Sequence, residues 1–177
     1  MAGATFTLTI DDGEIFAGMA AIRGLSADLR PTMDRIGMAL ESSTIDRFDK
    51  GVSPDGVAWP ASERVLLAGG KTLVDRGHLR GSITHNADGS SVEVGSNLVY
   101  AAVHQAGFDG PVVVKAHSRA FKMVFGHPYS GVAEVRSHQR KMNMPARPFL
   151  GLSVDDRLDV VAIVQDDYAD AVARVAQ

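Results

Sequence analysis

The segment Asn143-Met-Pro-Ala-Arg-Pro-Phe-Leu-Gly-Leu-Ser153 restricts the fold more than any other stretch of this chain. Each proline fixes its own φ and pushes its predecessor, Met144 or Arg147, out of the helical region. No helix runs through such a segment. It is extended and preordered, so it loses little entropy when it docks. Phe149 and Leu150 supply apolar anchors, and Gly151 permits a turn into the next element. Arg147, held between stiff neighbours, is a positioned guanidinium suited to a carboxylate fork. Two roles fit it: a strut that seats the last helix on the chain's own core, or a contact with another subunit.

The element after Ser153 reads as a helix. Ser153-x-x-Asp156 has the form of a capping box, and acids in the first turn suit the helix dipole. Val154, Leu158, Val161, Val164 and Tyr168 supply one apolar face. A second helix is predicted from about residue 28, with Pro31 in its first turn and Leu29, Met33, Ile36, Leu40 and Phe48 at helical spacing up to Gly51. Residues 6–10 alternate as a strand closed by Asp12-Gly13, and 14–23 is a weaker helix candidate. The turn-rich 52–60 loop holds Trp59, either a lid over a core edge or an anchor for a partner. Residues 73–83 read as a short helix running into a strand. Residues 82–94 read as a hairpin, with Asp88-Gly89 suited to a type I′ turn. A compact helix is expected at 98–106, stopped at Gly107. Strands at 112–115 and 132–138 bracket a stretch, 121–131, expected to be a long or mobile loop.

A chain of 177 residues is expected to form one domain over 1–177, with 1–25 as a possible N-terminal strand or arm. It has no cysteine, which excludes disulfides. Asp11 and Asp12 come early and no basic segment precedes an apolar run, so no signal peptide is expected. The longest uncharged run, 94–108, contains Ser, Asn, His and Gln and is too short and polar for a membrane span. A cytoplasmic place of synthesis is expected. The net charge of −3 hides an asymmetry. Lys115, Arg119, Lys122, Arg136, Arg140, Lys141 and Arg147 face only Glu134 in their segment, which carries +6, leaving −9 for the rest. Six acids (Asp155, Asp156, Asp159, Asp166, Asp167 and Asp170) fall in the final helix. The split suggests a contact surface, although a solvated hairpin and a solvated helix face would read the same way.

Enzymatic chemistry finds little support. Gly70-Lys71-Thr72 ends like a phosphate-binding loop, but Val65 stands where the first glycine belongs. Gly151-Leu-Ser153 and Gly51-Val-Ser53 begin like nucleophile elbows and lack the second glycine. The histidines 78, 85, 104, 117, 127 and 138 show no i, i+4 pair on a helix. Asp155-Asp156 and Asp166-Asp167 are helix neighbours that face different directions. No catalytic residue, cofactor or metal is expected.

The ordered pieces have a family resemblance. They are Phe48 with Ser53-Pro-Asp-Gly56 and Trp59-Pro60; Lys71-Thr-Leu73, Gly77-His-Leu79 and Ser82-Ile83; Val94-Gly-Ser-Asn97, Tyr100-Ala101 and His104-Gln105-x-Gly107; and Pro145-Ala-Arg-Pro-Phe-Leu-Gly-Leu-Ser153. Together, over about residues 30–170, they resemble the phage virion-morphogenesis (tail-completion) family of Mu-like and P2-like phages. Where that pattern often has Thr or Ser before Gly77, this chain has Arg76. With the elements above, the fold class is α+β: a small, mainly antiparallel sheet packed by helices, a long C-terminal helix and a basic hairpin-like segment at 111–144.

The resemblance implies a non-enzymatic assembly protein at the head-proximal end of a tail. It would complete the tail and enable head–tail joining, commonly as a ring, and would meet itself and other tail or neck proteins. It would be found in the host cytoplasm during assembly and then in the virion, with no role for a membrane. The subunit or partner interface is expected at Arg147, Phe149, Trp59, Arg119, Lys122, Arg136, Arg140 and Lys141, with a neighbour's acidic final helix as one complement. The alternative is nucleic-acid binding by the basic 115–147 segment, whose Phe121, Phe125 and Tyr129 lie between bases that would track phosphates.

Overall fold

The computed structural model describes residues 29–124 and 127–175. The strand expected at 6–10 and the helix at 14–23 lie outside them. Helix α1 (Arg30–Lys50) begins with proline in its first turn, where no intrahelical donor is needed, and ends at Gly51 in the left-handed conformation. Its buried face carries Met33, Ile36, Leu40 and Phe48. After the loop come helix α2 (Glu63–Ala68) and a 3-10 turn at Arg80–Ser82. Strands β1 (Ile83–Ala87) and β2 (Val92–Ser96) then pair antiparallel, Ile83 opposite Ser96 and Ala87 opposite Val92. Helix α3 (Ala101–Ala106) leads into strands β3 (Phe108–Val114), β4 (His117–Val124), β5 (His127–Val135) and β6 (His138–Met144). The last helix, α4, spans Val154–Val175.

The body is α1 laid across the β1–β2 hairpin on one side and against α4 on the other. Gly37 lets the sheet come close: a Cβ there would stand 2.4 Å from the His85 ring. The core holds Met33, Ile36, Leu40, Phe48, Leu79, Ile83, Val92, Val94, Phe149 and Val160. The fold is α+β, with short antiparallel sheets packed by helices and a C-terminal helix.

Four local expectations change. Residues 73–79 are turns rather than helix, because Leu73 (φ 61°) and Gly77 (φ 78°) leave the helical region. The β1–β2 turn is a four-residue loop, not a type I′ turn. The Asp88 carboxylate accepts from the Ser90 and Ser91 amides, both at 2.7 Å, and sets the loop itself. The stretch 121–131 is mostly strand. β4 pairs with β5 through a register shift at Phe121/Met123, and in a two-stranded ribbon every strand is an edge that tolerates Pro128.

The fourth change concerns α4. Val154 is 75% exposed and Leu158 64%, with Val161 and Tyr168 also exposed, so most of the expected core stripe faces outward. Its buried positions are Asp156 and Val160, with Ile163 and Val164 packed against the core. In this phase Asp156 goes inward with Val160 and meets a buried arginine.

Candidate assembly interface

That arginine is Arg47, which joins the stiff segment to α4. Arg47 and Asp156 form a buried ion pair, with side chains 6% and 3% exposed. The guanidinium also donates to the carbonyls of Phe149 (3.0 Å) and Gly151 (2.8 Å). Burial pulls the Arg47 pKa down, while Asp156 opposes the shift. For Asp156 burial acts to raise the pKa, but hydrogen bonds from Ser43 and Ser153 and the charge of Arg47 outweigh it and hold the carboxyl below its ordinary range. The capping box forms as expected: the Ser153 amide donates to Asp156 Oδ2 at 2.7 Å, and the Asp156 amide to Ser153 Oγ at 3.0 Å. One carboxylate thus caps a helix and neutralises a buried cation.

Phe149, fully buried, sits 5.3 Å from the Phe48 ring centre, and Phe48 meets Trp59 edge-on at 5.5 Å. The Trp59 indole donates to the Pro148 carbonyl at 2.8 Å. The Gln105 amide serves both sides of the strut: its oxygen accepts from the Phe149 and Leu150 amides, and its nitrogen donates to the Leu150 carbonyl, each at 3.0 Å. The Arg147 side chain donates to the Pro60 carbonyl at 2.8 Å, and its backbone amide to the His104 carbonyl at 2.8 Å. The residue is 5% exposed. Burial, helped by the Arg147 charge, lowers the His104 pKa and favours a neutral ring.

These bonds also fix the root of a long ribbon. β3 and β4 run outward and β5 and β6 return, Phe108 opposite Met144 at the base and Val124 opposite His127 near the far end. At about 3.3 Å per residue the two successive strand pairs together measure on the order of 50 Å along the chain. The strands of each pair pack on one another and hardly touch the helices. At the root, Gly107 has φ 77° and stands so close to the returning chain that a Cβ would lie 2.8 Å from the Ala146 nitrogen. Outgoing and returning strands are therefore pinned together beside the Arg147–His104 bond.

The expected interface residues divide into two groups. Arg147, Phe149 and Trp59 are buried within this chain and bond to its own backbone and rings. Arg119, Arg136, Arg140 and Lys141 are exposed on the arm or at its central joint, and Lys122 lies on β4. Lys141 pairs with Asp109 at 3.3 Å on the arm's surface. No local motif marks Arg47 or Gln105 for the roles they take. Arg47 lies on the same helical face as Leu40, Thr44 and Phe48, a core position where an arginine demands a partner.

The region resembling a phosphate-binding loop is otherwise engaged: Arg64 donates to the carbonyls of Lys71 (2.6 Å) and Val74 (3.0 Å). Among the described residues no group of three or more His, Cys, Asp or Glu side chains is arranged to hold a metal ion. Among them, too, no helix is long and apolar enough to cross a membrane.

The chain thus joins an α+β body, an internal strut and a basic two-stranded arm. Residues 10–168 match the phage virion morphogenesis family, and the chain belongs to it. It is similar to the Mu-like prophage FluMu G protein 2 of Haemophilus influenzae, with 29% identity over 155 residues, covering 88% of this chain and 89% of that one. No solved structure matches it.

Proposed function

We propose that this protein is a non-enzymatic assembly factor that acts at the head-proximal end of a phage tail. It completes the tail and enables the head to join, working as a ring of identical chains that contacts other tail or neck proteins. It is made in the host cytoplasm and ends in the virion, and it needs no cofactor. The observation that carries this reading is the arm. A two-stranded ribbon that hardly touches the body's helices is at best marginally stable alone in water, so a chain that builds one from a clamped root is furnished for a partner. Membership in a virion morphogenesis family supports the class of partner.

The test uses a lysate from a phage whose copy of this gene is deleted, containing unjoined heads and tails. Purified protein is added and joined particles are counted by electron microscopy. Restored joining is expected. Unjoined heads beside tails that are already complete would overturn the role.

A second reading rests on the exposed bases Arg119, Arg136 and Arg140, which would suit a nucleic-acid backbone. It predicts a gel shift with duplex DNA that weakens steeply as salt rises.

A further inference from the structure

Among the described residues, the outward side of α4 is left uncovered by the body. Val154, Leu158, Val161 and Tyr168 form an exposed apolar stripe along the helix. Asp155, Asp159, Asp166 and Asp170 are also exposed, and their spacings of four, seven and four residues place them on one flank. Small Ala162 and Ala169 are exposed between stripe and flank, leaving room for a backbone to approach.

The arm has the complementary character. On one face Pro111 stands opposite Lys141 and Val113 opposite Gln139, all exposed, with Val113 at 60%. Further out Val132, 70% exposed, stands opposite Ala120, and Arg119 is exposed one position away. Successive strand residues face opposite ways, so Lys141 shares the face of Pro111 and Val113, while Arg140 lies behind it and Arg119 behind Val132; on the helix, apolar residues run beside acids.

We infer that the outward face of α4 is the docking surface for the arm of a second copy of this chain. The apolar stripe would receive the arm face that carries Pro111 and Val113, and the aspartate flank the Lys141 of that face and the bases at the arm's central joint. Charge complementarity identifies the occupant. The arm hardly touches α4 of its own chain, so the match is satisfied between copies. Because arm and helix are different surfaces, the contact is head-to-tail, the kind that closes into a ring when the rotation permits. This deepens the proposed ring and rests on it.

The absence of cysteine makes the test direct. Gln139→Cys on the arm and Ala162→Cys on α4 replace exposed residues and can be combined in one chain. Particles assembled with the double variant are treated with a short bis-maleimide cross-linker and run on a denaturing gel. A ladder of chain multiples is expected from the double variant, and monomer from each single one. Monomer from the double variant, or cross-linking to a different virion protein, overturns the inference.

A charge exchange gives the second reading of the same gel. Reversing the arm (Arg136→Glu with Lys141→Glu) or the helix (Asp159→Lys with Asp166→Lys) should each cut the ladder by about tenfold or more, since like charges across an interface are strongly unfavourable. Combining the reversals in one chain should restore it, and a combined variant as poor as either parent counts against the contact. Joined particles counted alongside report on the tail role separately. Joining without a ladder overturns the docking alone, and a ladder without joining overturns the role in joining alone.

Discussion

The strut at 145–153 and the arm at 108–144 are consecutive in the chain and both carry arginine, yet they use it in opposite ways. Arg147 is buried and satisfied by backbone carbonyls of its own chain. Arg119, Arg136 and Arg140 are exposed on a ribbon that hardly touches the helices. The difference lies in what surrounds each cation. The strut is fixed by two prolines and lies over Phe48 and Trp59, where any polar group must be matched internally. The arm's described bases are exposed, so their charges cost little to hold. Folding depends on the first region and, on our account, assembly on the second.

Substitutions in the two regions should therefore be read by different assays. Phe149→Ala should have the largest effect on stability, about 3–5 kcal/mol, because it empties the centre of the aromatic cluster. Thermal or urea denaturation measures it, and a loss below about 1 kcal/mol would mean that the cluster is not the core's centre.

Asp156→Ala should cost a similar or slightly smaller amount, about 3–5 kcal/mol, by leaving Arg47 buried without its counter-charge and by removing the cap of α4. The same residue sets an acid limit. Its folded pKa lies below the unfolded value of 3.8, so its contribution is present above that value and fades as pH falls through the lower folded one. A stability–pH profile of Asp156→Asn should be flatter in that range.

Arg147→Ala should lose about 1–3 kcal/mol through the unpaired Pro60 carbonyl and lost packing, and should still fold. If this variant keeps its circular dichroism but fails to assemble, the strut has a role in contacts as well, and the contrast between regions softens.

The smallest effect belongs to His85, which bridges Glu41 (2.7 Å) and Asp34 (3.2 Å) on α1. Burial acts to lower its pKa, but the hydrogen bonds and charges of the two carboxylates outweigh it and raise it. Its contribution is thus complete below the unfolded value of 6.5 and is lost as pH rises through the higher folded one. His85→Asn should remove that slope, which a melting series across neutral pH would detect.

Much of this was legible in the sequence. The helical spacing of Leu29 through Phe48, the capping box at Ser153 and the extended proline segment are local signals, and each appears where its chemistry requires. The phase of α4 was not legible. Val154, Leu158, Val161 and Tyr168 have the spacing of a core stripe, but Asp156, paired with Arg47, goes inward together with Val160, Ile163 and Val164, and the stripe faces out. The outer strands of the arm were hidden for a similar reason. Gly126, Pro128 and Gly131 signal a loop in any window, whereas the antiparallel pairing that makes most of this stretch strand lies across the hairpin. The charge split marked the arm's bases as a group. It could not separate them from Arg147, because burial depends on neighbours distant in the chain.

The most direct test removes the arm. Residues 109–143 are replaced by an Asn-Gly turn joining Phe108 to Met144, which stand opposite each other at the ribbon's base. Joined particles are then counted in the complementation lysate, with a melting curve of the same preparation. The account predicts a melting temperature close to that of the full chain and no joined particles. A shortened chain that melts normally and still joins heads to tails would contradict it.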